Sequence, residues 1–99
     1  MNYGFHRGAI AEHLDQVAFY ESQLSGLGED YLVEFDAAMA RISAAPDRFA
    51  LVAPPDIHKV ALKRFPFHVI YRAQAMRIVV LAVAHQRRRP SYWVGRIDR

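Results

Sequence analysis

The sequence predicts an α+β fold with the element order β-α-α-β-β-β, in which an N-terminal helical hairpin packs on one face of a small, mainly antiparallel sheet. Two observations support this prediction. The apolar spacing is helical from Gly8 to Pro46 and changes to a period of two from residue 57 onward. A glycine-rich joint at residues 25–28 divides the helical part, and so short a joint favours an antiparallel hairpin. The hairpin must cover the sheet, since it has no other apolar surface to bury against.

The two helices are predicted from their apolar spacing and from the residues at their ends. After a short, partly aromatic first strand at residues 2–6, the helical pattern opens at Gly8. Glu29 and Asp30 suit the positive dipole end of the second helix, and Pro46 ends it. Each helix is predicted to bury one apolar stripe, formed by Ile10, Leu14, Val17 and Leu24 on the first and by Leu32, Phe35, Met39 and Ile42 on the second.

Three strands are predicted after the hairpin. Residues 49–55 are expected to be a connection, and residues 57–65 alternate as a strand does before Pro66 interrupts the ladder. Residues 67–72 alternate again, and a four-residue turn follows. The last strand, residues 77–85, has apolar residues on both faces and is predicted to be central in the sheet. The sheet face away from the hairpin is expected to be more open.

Length and composition indicate one small cytoplasmic domain. The 99 residues suit a single domain spanning 1–99. The absence of cysteine fits a reducing cytoplasm. The N-terminus does not look like a signal peptide, and the longest apolar run, residues 78–84, is too short to cross a bilayer. We therefore expect no membrane partner.

Charge is distributed unevenly along the chain. Residues 1–50 hold eight acidic and three basic residues, a net charge of −5, whereas residues 51–99 hold two acidic and ten basic residues, a net charge of +8. A basic half predicts an acidic partner, either nucleic acid or an acidic protein segment. The alternative is an ordinary solvated surface.

No cofactor or metal motif is visible in the sequence. There is no glycine-rich nucleotide loop, and the five histidines, at positions 6, 13, 58, 68 and 85, lack the spacing of a metal site. No nucleophile elbow marks a Ser-His-Asp triad. We therefore expect neither a cofactor nor a metal.

The stretch HQRRRPSYW, residues 85–93, concentrates charge and aromatic rings where the last strand ends. The arginines could form only a solvated turn, but adjacent like charges repel, and arginine forks suit phosphate or carboxylate groups. Tyr92 could stack on a base or cover the end of the sheet, and for Trp93 covering the core is the better interpretation. His85 is interpreted as a capping or core histidine, with a polar group at the mouth of a site as the alternative.

Several stretches in a fixed order resemble the RelE/ParE superfamily of small bacterial toxins. They are a hairpin containing YESQ and GLG, then LKRFPFHVIYR, a short turn, IVVLAVAHQRRRP and Trp93. The resemblance covers nearly the whole chain. It implies a compact toxin of a type II toxin–antitoxin module, of the plasmid-stabilisation or stress kind. An antitoxin encoded beside the toxin would neutralise it, which allows a toxin–antitoxin hetero-oligomer.

The superfamily has two main activities, and the resemblance favours one of them. ParE-like toxins bind and poison DNA gyrase without being nucleases, and RFPFHVIYR, the arginine run and the following tryptophan are more similar to this branch. RelE-like toxins cut messenger RNA on the ribosome, using lysines, an arginine and a tail tyrosine, with no metal. A gyrase poison is therefore implied, with a metal-independent mRNA endoribonuclease as the alternative.

Two sets of site residues follow from these alternatives. The nuclease alternative would use Lys59, Lys63, Arg87 and Tyr92. The favoured interpretation assigns binding of the target or the antitoxin to Arg72, His85, Arg87, Arg88, Arg89, Trp93 and Arg96. An acidic, amphipathic antitoxin segment is expected to contact the basic half of the chain.

Overall fold

Two long helices and five strands make up the structure, a computed structural model that describes residues 2–98. No helix in this range is long and apolar enough to cross a bilayer. The elements in chain order are β1 (Asn2–Phe5), α1 (Arg7–Gln23), α2 (Leu27–Ala44), β2 (Ala50–Ala53), β3 (Ile57–Ala61), β4 (Phe67–Gln74), β5 (Arg77–His85) and a 3-10 turn (Val94–Arg96).

The five strands form one sheet in the order β1-β5-β4-β3-β2. β1 runs parallel to β5, and all other neighbours are antiparallel. β5 has a neighbour on each side, as its two apolar faces predicted. The α+β class, the helical hairpin on one sheet face and the mainly antiparallel sheet are therefore confirmed.

An additional strand corrects the predicted element order. Residues 50–53, expected to be part of a connection, form the edge strand β2 and pair with β3 through an irregular register. Leu51 and Val52 remain 50% and 38% exposed. A short edge strand without a buried face shows no apolar alternation, so the sequence pattern does not reveal it.

The turns flanking β4 also differ from the prediction. β3 ends at Ala61 rather than at residue 65. The amide of Leu62 donates to the carbonyl of Phe67 at 2.9 Å, so the chain around Pro66 forms a tight turn instead of a continued strand. β4 extends to Gln74, which reduces the turn before β5 from four residues to two.

A glutamate closes the turn between the helices. The Glu21 carboxylate accepts hydrogen bonds from the amides of Gly26, at 3.1 Å, and Gly28, at 3.0 Å. Gly26 has a φ of 91°, a left-handed conformation that glycine adopts without a steric penalty. Because α2 already begins at Leu27, the joint is shorter than the predicted residues 25–28.

The main core lies between the hairpin and the sheet. On α2, Phe35, Met39 and Ile42 are buried, as the predicted stripe requires, and Leu32 is half-buried. The strand residues that pack with them include Val69, Val80 and Val83.

The first helix buries a different face from the one predicted. Leu14 and Leu24, two members of the predicted stripe, are 59% and 65% exposed, whereas Ala9 and His13 are buried. The His13 ring lies 4.2 Å from the Phe35 ring, centroid to centroid. Val17 of the predicted stripe does pack on the core, together with Tyr20, but the fully buried positions of α1 are a small residue and an imidazole. A stripe defined by large apolar residues alone does not include them.

We expect the protein to lose stability as the pH falls below about 6.5, the ordinary pKa of histidine. Burial lowers the pKa of His13, against the opposing charge of Asp36, and Tyr31 lies within hydrogen-bond distance of its ring at 3.2 Å. The unfolded chain then takes up this proton at a higher pH than the folded protein does. In that window each fall in pH favours unfolding.

Urea unfolding midpoints between about pH 7.5 and about pH 5 measure this dependence. His13→Gln is the control, since a glutamine at this position does not titrate. Its stability should decline less over the same range. Identical pH profiles of the parent and the variant would assign the effect to other groups.

The sheet face away from the hairpin is covered by the C-terminal segment, whereas it was expected to be the more open face. The C-terminal segment, residues 86–98, packs there through Trp93, which is 7% exposed. Trp93 contacts a second cluster of buried strand residues that includes Ile57, Ile70 and Leu81. These apolar side chains point away from the hairpin and need cover from water. The interpretation of Trp93 as core cover is confirmed.

Candidate functional site

The arginine run lies in a loop that directly follows β5, and residues 86–91 are called the arginine loop below. The amide of Gln86 donates to a carbonyl in the turn before β4 at 2.9 Å. The amide of Arg88 donates to the carbonyl of His85 at 2.8 Å, and the His85 imidazole accepts from the amide of Arg87 at 3.0 Å. These bonds hold the start of the loop beside the sheet.

The three arginines of the loop are exposed. The Arg88 guanidinium carbon lies 4.0 Å from the centre of the Tyr92 ring, a cation–π contact that supports this side chain. Ser91, between them, has a φ of 66°, a left-handed conformation that is uncommon outside glycine. The loop therefore presents forked donors at a defined place to an acidic or phosphate-bearing group.

A cleft of about 210 Å³ opens between the arginine loop and the sheet. Its apolar lining includes Ile70, Ala84 and Trp93. A concave site with apolar walls and a few converging polar groups is the usual form of a ligand site. The charged and imidazole side chains that line it are Lys59, His68, His85, Arg88 and Arg89.

The imidazole of His68 favours the neutral state in this cleft. Burial lowers its pKa, and the positive charge of Lys59 lowers it further. Lys59 pairs with Ile70 across the β3–β4 ladder, and His68 lies two residues from Ile70, so both side chains occupy one sheet face. A neutral imidazole can donate or accept a hydrogen bond, but it adds no charge.

The cleft can bind an anionic group beside an apolar or planar one. Arg88 and Arg89 offer forked donors, Lys59 adds a point charge, and Tyr92 and Trp93 add aromatic surface. Among residues 2–98, no group of three or more histidine, aspartate or glutamate side chains could hold a metal ion.

A carboxylate on α1 holds the C-terminal segment beside the cleft. The Tyr92 hydroxyl donates to Glu12 Oε2 at 2.7 Å. Both terminal nitrogens of Arg96 donate to the same carboxylate, at 2.9 Å and 3.1 Å, and the Glu12 bond raises the pKa of Arg96. Burial and then the bond to Glu12 raise the pKa of Tyr92. The Tyr92 hydroxyl therefore gives up its proton less readily than an ordinary tyrosine does, and it is engaged with Glu12.

The structure gathers some of the predicted site residues and separates others. Lys63 and Arg87 are exposed and do not contribute to the lining of the cleft. The four nuclease residues are therefore not brought together in this cleft. The predicted residues that do line it are Lys59, His85, Arg88, Arg89, Tyr92 and Trp93.

Two predicted binding residues, Arg72 and Arg96, contact other residues of the same chain with their guanidinium groups. Arg72 Nε lies 3.4 Å from the Asp56 carboxylate, and its Nη1 donates to the carbonyl of Ile97 at 3.2 Å. The side chains of Arg72 and Arg96 are 23% and 20% exposed. Both arginines hold the C-terminal segment, and a role in binding a partner stays a prediction for each.

Sequence reasoning missed Glu12 and His68. Glu12 is one of eight acidic residues in the first half of the chain, and no sequence pattern separates an acid that reaches the sheet from a solvated one. One signal could have identified His68: in the alternating pattern of this strand it is on the same side as Ile70 and on the opposite side from Val69. That alternation places it on the face opposite the hairpin.

Comparison with known proteins relates the fold to a bacterial system. No protein-family model matches the sequence, and a search of curated proteins gives no match. Among solved structures, a chain of the chromosomal ParDE TA system from P. aeruginosa has the same fold, with a TM-score of 0.65 and 20% sequence identity. The match covers 86% of this chain and 95% of that chain. At this identity the likeness shows a shared fold.

Proposed function

We propose that the protein is the toxin of a type II toxin–antitoxin module and that it inhibits growth by binding and poisoning DNA gyrase. The arginine loop is the observation that carries this proposal. Its three adjacent arginines are exposed, and backbone hydrogen bonds hold the loop at the end of β5. Such a surface suits an acidic or phosphate-bearing target.

The shared fold supports the toxin part of the proposal. A chain of a ParDE TA system has this fold. The stretches that resemble ParE-like toxins lie in one region, because RFPFHVIYR leads into β4 and AVAHQRRRP ends β5 and enters the arginine loop. The resemblance and the fold thus favour the same superfamily from separate observations.

The position of the Tyr92 hydroxyl favours a gyrase poison over a nuclease. A tyrosine that takes part in proton transfer must reach the substrate. The Tyr92 hydroxyl is instead bonded to Glu12 at 2.7 Å, and burial, with that bond, raises its pKa. Lys63 and Arg87, which the nuclease set also needs, lie outside the cleft lining.

The composition of the cleft favours a second candidate, an mRNA endoribonuclease. Lys59, His68 and Arg88 line one concave site. A lysine and an arginine can stabilise charge on a phosphate, and an imidazole can assist proton transfer, without a metal. This candidate would replace Lys63 and Arg87 of the predicted set with His68 and Arg88.

Two assays on the purified protein separate these candidates. We expect the protein to inhibit supercoiling by gyrase and to leave messenger RNA intact on translating ribosomes. His68→Ala sharpens the comparison, because a nuclease that uses this imidazole should lose cleavage. Ribosome-dependent cleavage together with unaffected gyrase would overturn the proposal in favour of the nuclease.

Association with the antitoxin is expected to slow markedly as salt rises. Residues 51–99 have a net charge of +8, which attracts an acidic antitoxin segment. Salt screens the attraction between exposed charges, so on-rates measured from about 0.05 M to about 0.5 M salt should fall. A variant with alanine at all three arginines of the loop is the control and should respond less to salt. An on-rate independent of ionic strength would contradict this expectation.

A further inference from the structure

One edge of β5 is only partly paired with a strand. β1 pairs with β5 as far as Phe5↔Val80, where the chain leaves the sheet and enters α1. β5 continues to His85. β4 pairs with the opposite edge of this part of β5, but among the described residues no strand lies along the edge that β1 leaves, so the backbone groups there need other partners.

Two side chains occupy the place of the missing strand. Glu12 Oε1 accepts from the amide of Val83 at 3.0 Å, and Arg96 Nη1 donates to the carbonyl of Leu81 at 3.0 Å. Leu81 and Val83 are two residues apart, so these groups lie on the same edge of the strand. The carboxylate and guanidinium also bind each other, which joins α1, β5 and the C-terminal segment.

The same carboxylate reaches the arginine loop through Tyr92. The Tyr92 hydroxyl donates to Glu12 Oε2 at 2.7 Å, and the ring of Tyr92 carries the Arg88 guanidinium 4.0 Å from its centre. The Arg96 guanidinium lies 5.2 Å from the centre of that ring. Loss of the Glu12 charge would therefore release Tyr92 and Arg96 together and remove the support of Arg88.

Burial and a close approach at Gly8 strengthen this arrangement. The side chains of Glu12 and Arg96 are only 16% and 20% exposed, so water replaces their partners poorly. Gly8 leaves the space that the guanidinium fills, because a Cβ there would lie 2.7 Å from Cζ of Arg96 and 2.9 Å from its Nε. An added methyl group would therefore push Arg96 away from its partners.

We propose that Glu12 is a positioning residue of the gyrase-binding surface. By binding Tyr92 and Arg96 at the open edge of β5, it sets the place of the arginine loop. This inference rests on the proposed function, but the positioning itself can be measured without gyrase.

The test compares Glu12→Gln with Glu21→Gln in the full chain. Glutamine keeps the shape of residue 12 and removes the charge that holds Arg96. Glu21 is a matched control, since it also lies on α1 and accepts backbone amides, but in the turn between the helices. We expect amide hydrogen exchange of residues 86–92 to speed up at least about tenfold in Glu12→Gln but not in Glu21→Gln. This factor corresponds to the loss of one charge-assisted hydrogen bond. Unchanged exchange in the loop would overturn the inference.

Gyrase inhibition then tests whether the positioning matters. Glu12→Gln should need about tenfold more protein for half-inhibition, the factor expected from one lost charge-assisted bond. In a variant that already carries Arg88→Ala, the Glu12→Gln change should have a clearly smaller effect, because Glu12 acts on Arg88 through Tyr92. A merely structural role of Glu12 would give independent effects. Full additivity, or undiminished inhibition by Glu12→Gln, would overturn the functional part of the inference.

Gly8→Ala provides a second route to the same result. Alanine is a better helix former than glycine, so α1 itself should not be weakened. Displacement of the Arg96 guanidinium should still speed up amide exchange in the arginine loop, and a loop as protected as in the parent would count against the inference.

Gyrase inhibition that survives loss of all three loop arginines would instead refute the proposed function. The exchange data would then still decide whether Glu12 positions the loop.

Discussion

Replacing Arg87, Arg88 and Arg89 together with alanine is expected to abolish growth inhibition and leave the fold intact. The three side chains are exposed on a loop that backbone hydrogen bonds hold in place. Exposed ion pairs contribute only about 0–1 kcal/mol, so the melting temperature should stay near that of the parent. Forked, positively charged donors can nonetheless dominate recognition of an acidic or phosphate-bearing target. Growth after induced expression, with a thermal melt of the purified variant, measures both effects.

A charge-matched control separates the loop from bulk positive charge. Arg7, Arg48 and Arg77 are exposed and lie outside the arginine loop and the cleft lining. Their joint replacement by alanine removes the same charge, and this variant should remain toxic. Equal loss of toxicity in both triple variants would point to net charge. Full toxicity of the loop variant would show that the arginine loop is not the working surface.

Phe35→Ala is expected to destabilise the fold by about 3–5 kcal/mol, the usual cost of emptying a buried phenylalanine site. Phe35 is 1% exposed, and its ring packs against His13 at 4.2 Å and Phe5 at 5.8 Å between centroids. Removal of the ring leaves a cavity between the hairpin and the sheet. The surrounding side chains of the helices and strands cannot move far enough to fill it. Urea unfolding monitored by circular dichroism gives the change in free energy of unfolding.

Phe19→Ala is the matched control for this loss. Phe19 is the same residue type on the neighbouring helix but is 53% exposed, so its removal should cost much less. Where Phe35→Ala fails to fold, Phe35→Leu should still give a measurable, smaller loss because it leaves a smaller cavity. A cost below about 1 kcal/mol for Phe35→Ala would place this ring outside the core.

The parts of the fold with a regular, one-sided apolar pattern were predictable. The stripe of Phe35, Met39 and Ile42 faces the core because three-to-four spacing leaves only one face of a helix to bury. β5 is apolar on both faces and was placed correctly between two neighbours. In both elements the information lies within a few adjacent residues.

Where burial depends on distant partners, the pattern did not suffice. α1 exposes Leu14 and buries His13, because the imidazole has Tyr31 within hydrogen-bond distance, 18 residues away. β2 is recognisable only through its pairing with β3. Both features are set by what a residue meets across the fold, which hydropathy along the chain does not contain.

The candidate site also has features that the local sequence predicts and features that depend on contacts between distant residues. The sequence by itself determined that three arginines and two aromatic rings follow the last strand, because covalent order keeps these residues together. Trp93 was expected to cover the core, but only the tertiary structure decided which sheet face it covers, that Lys59 and His68 join Arg88 in one cleft, and that Glu12 holds Tyr92. Glu12 and Tyr92 are 80 residues apart in the chain. Their contact lies where β1 ends early, because the edge of β5 left there has backbone groups that need partners and Glu12 supplies one.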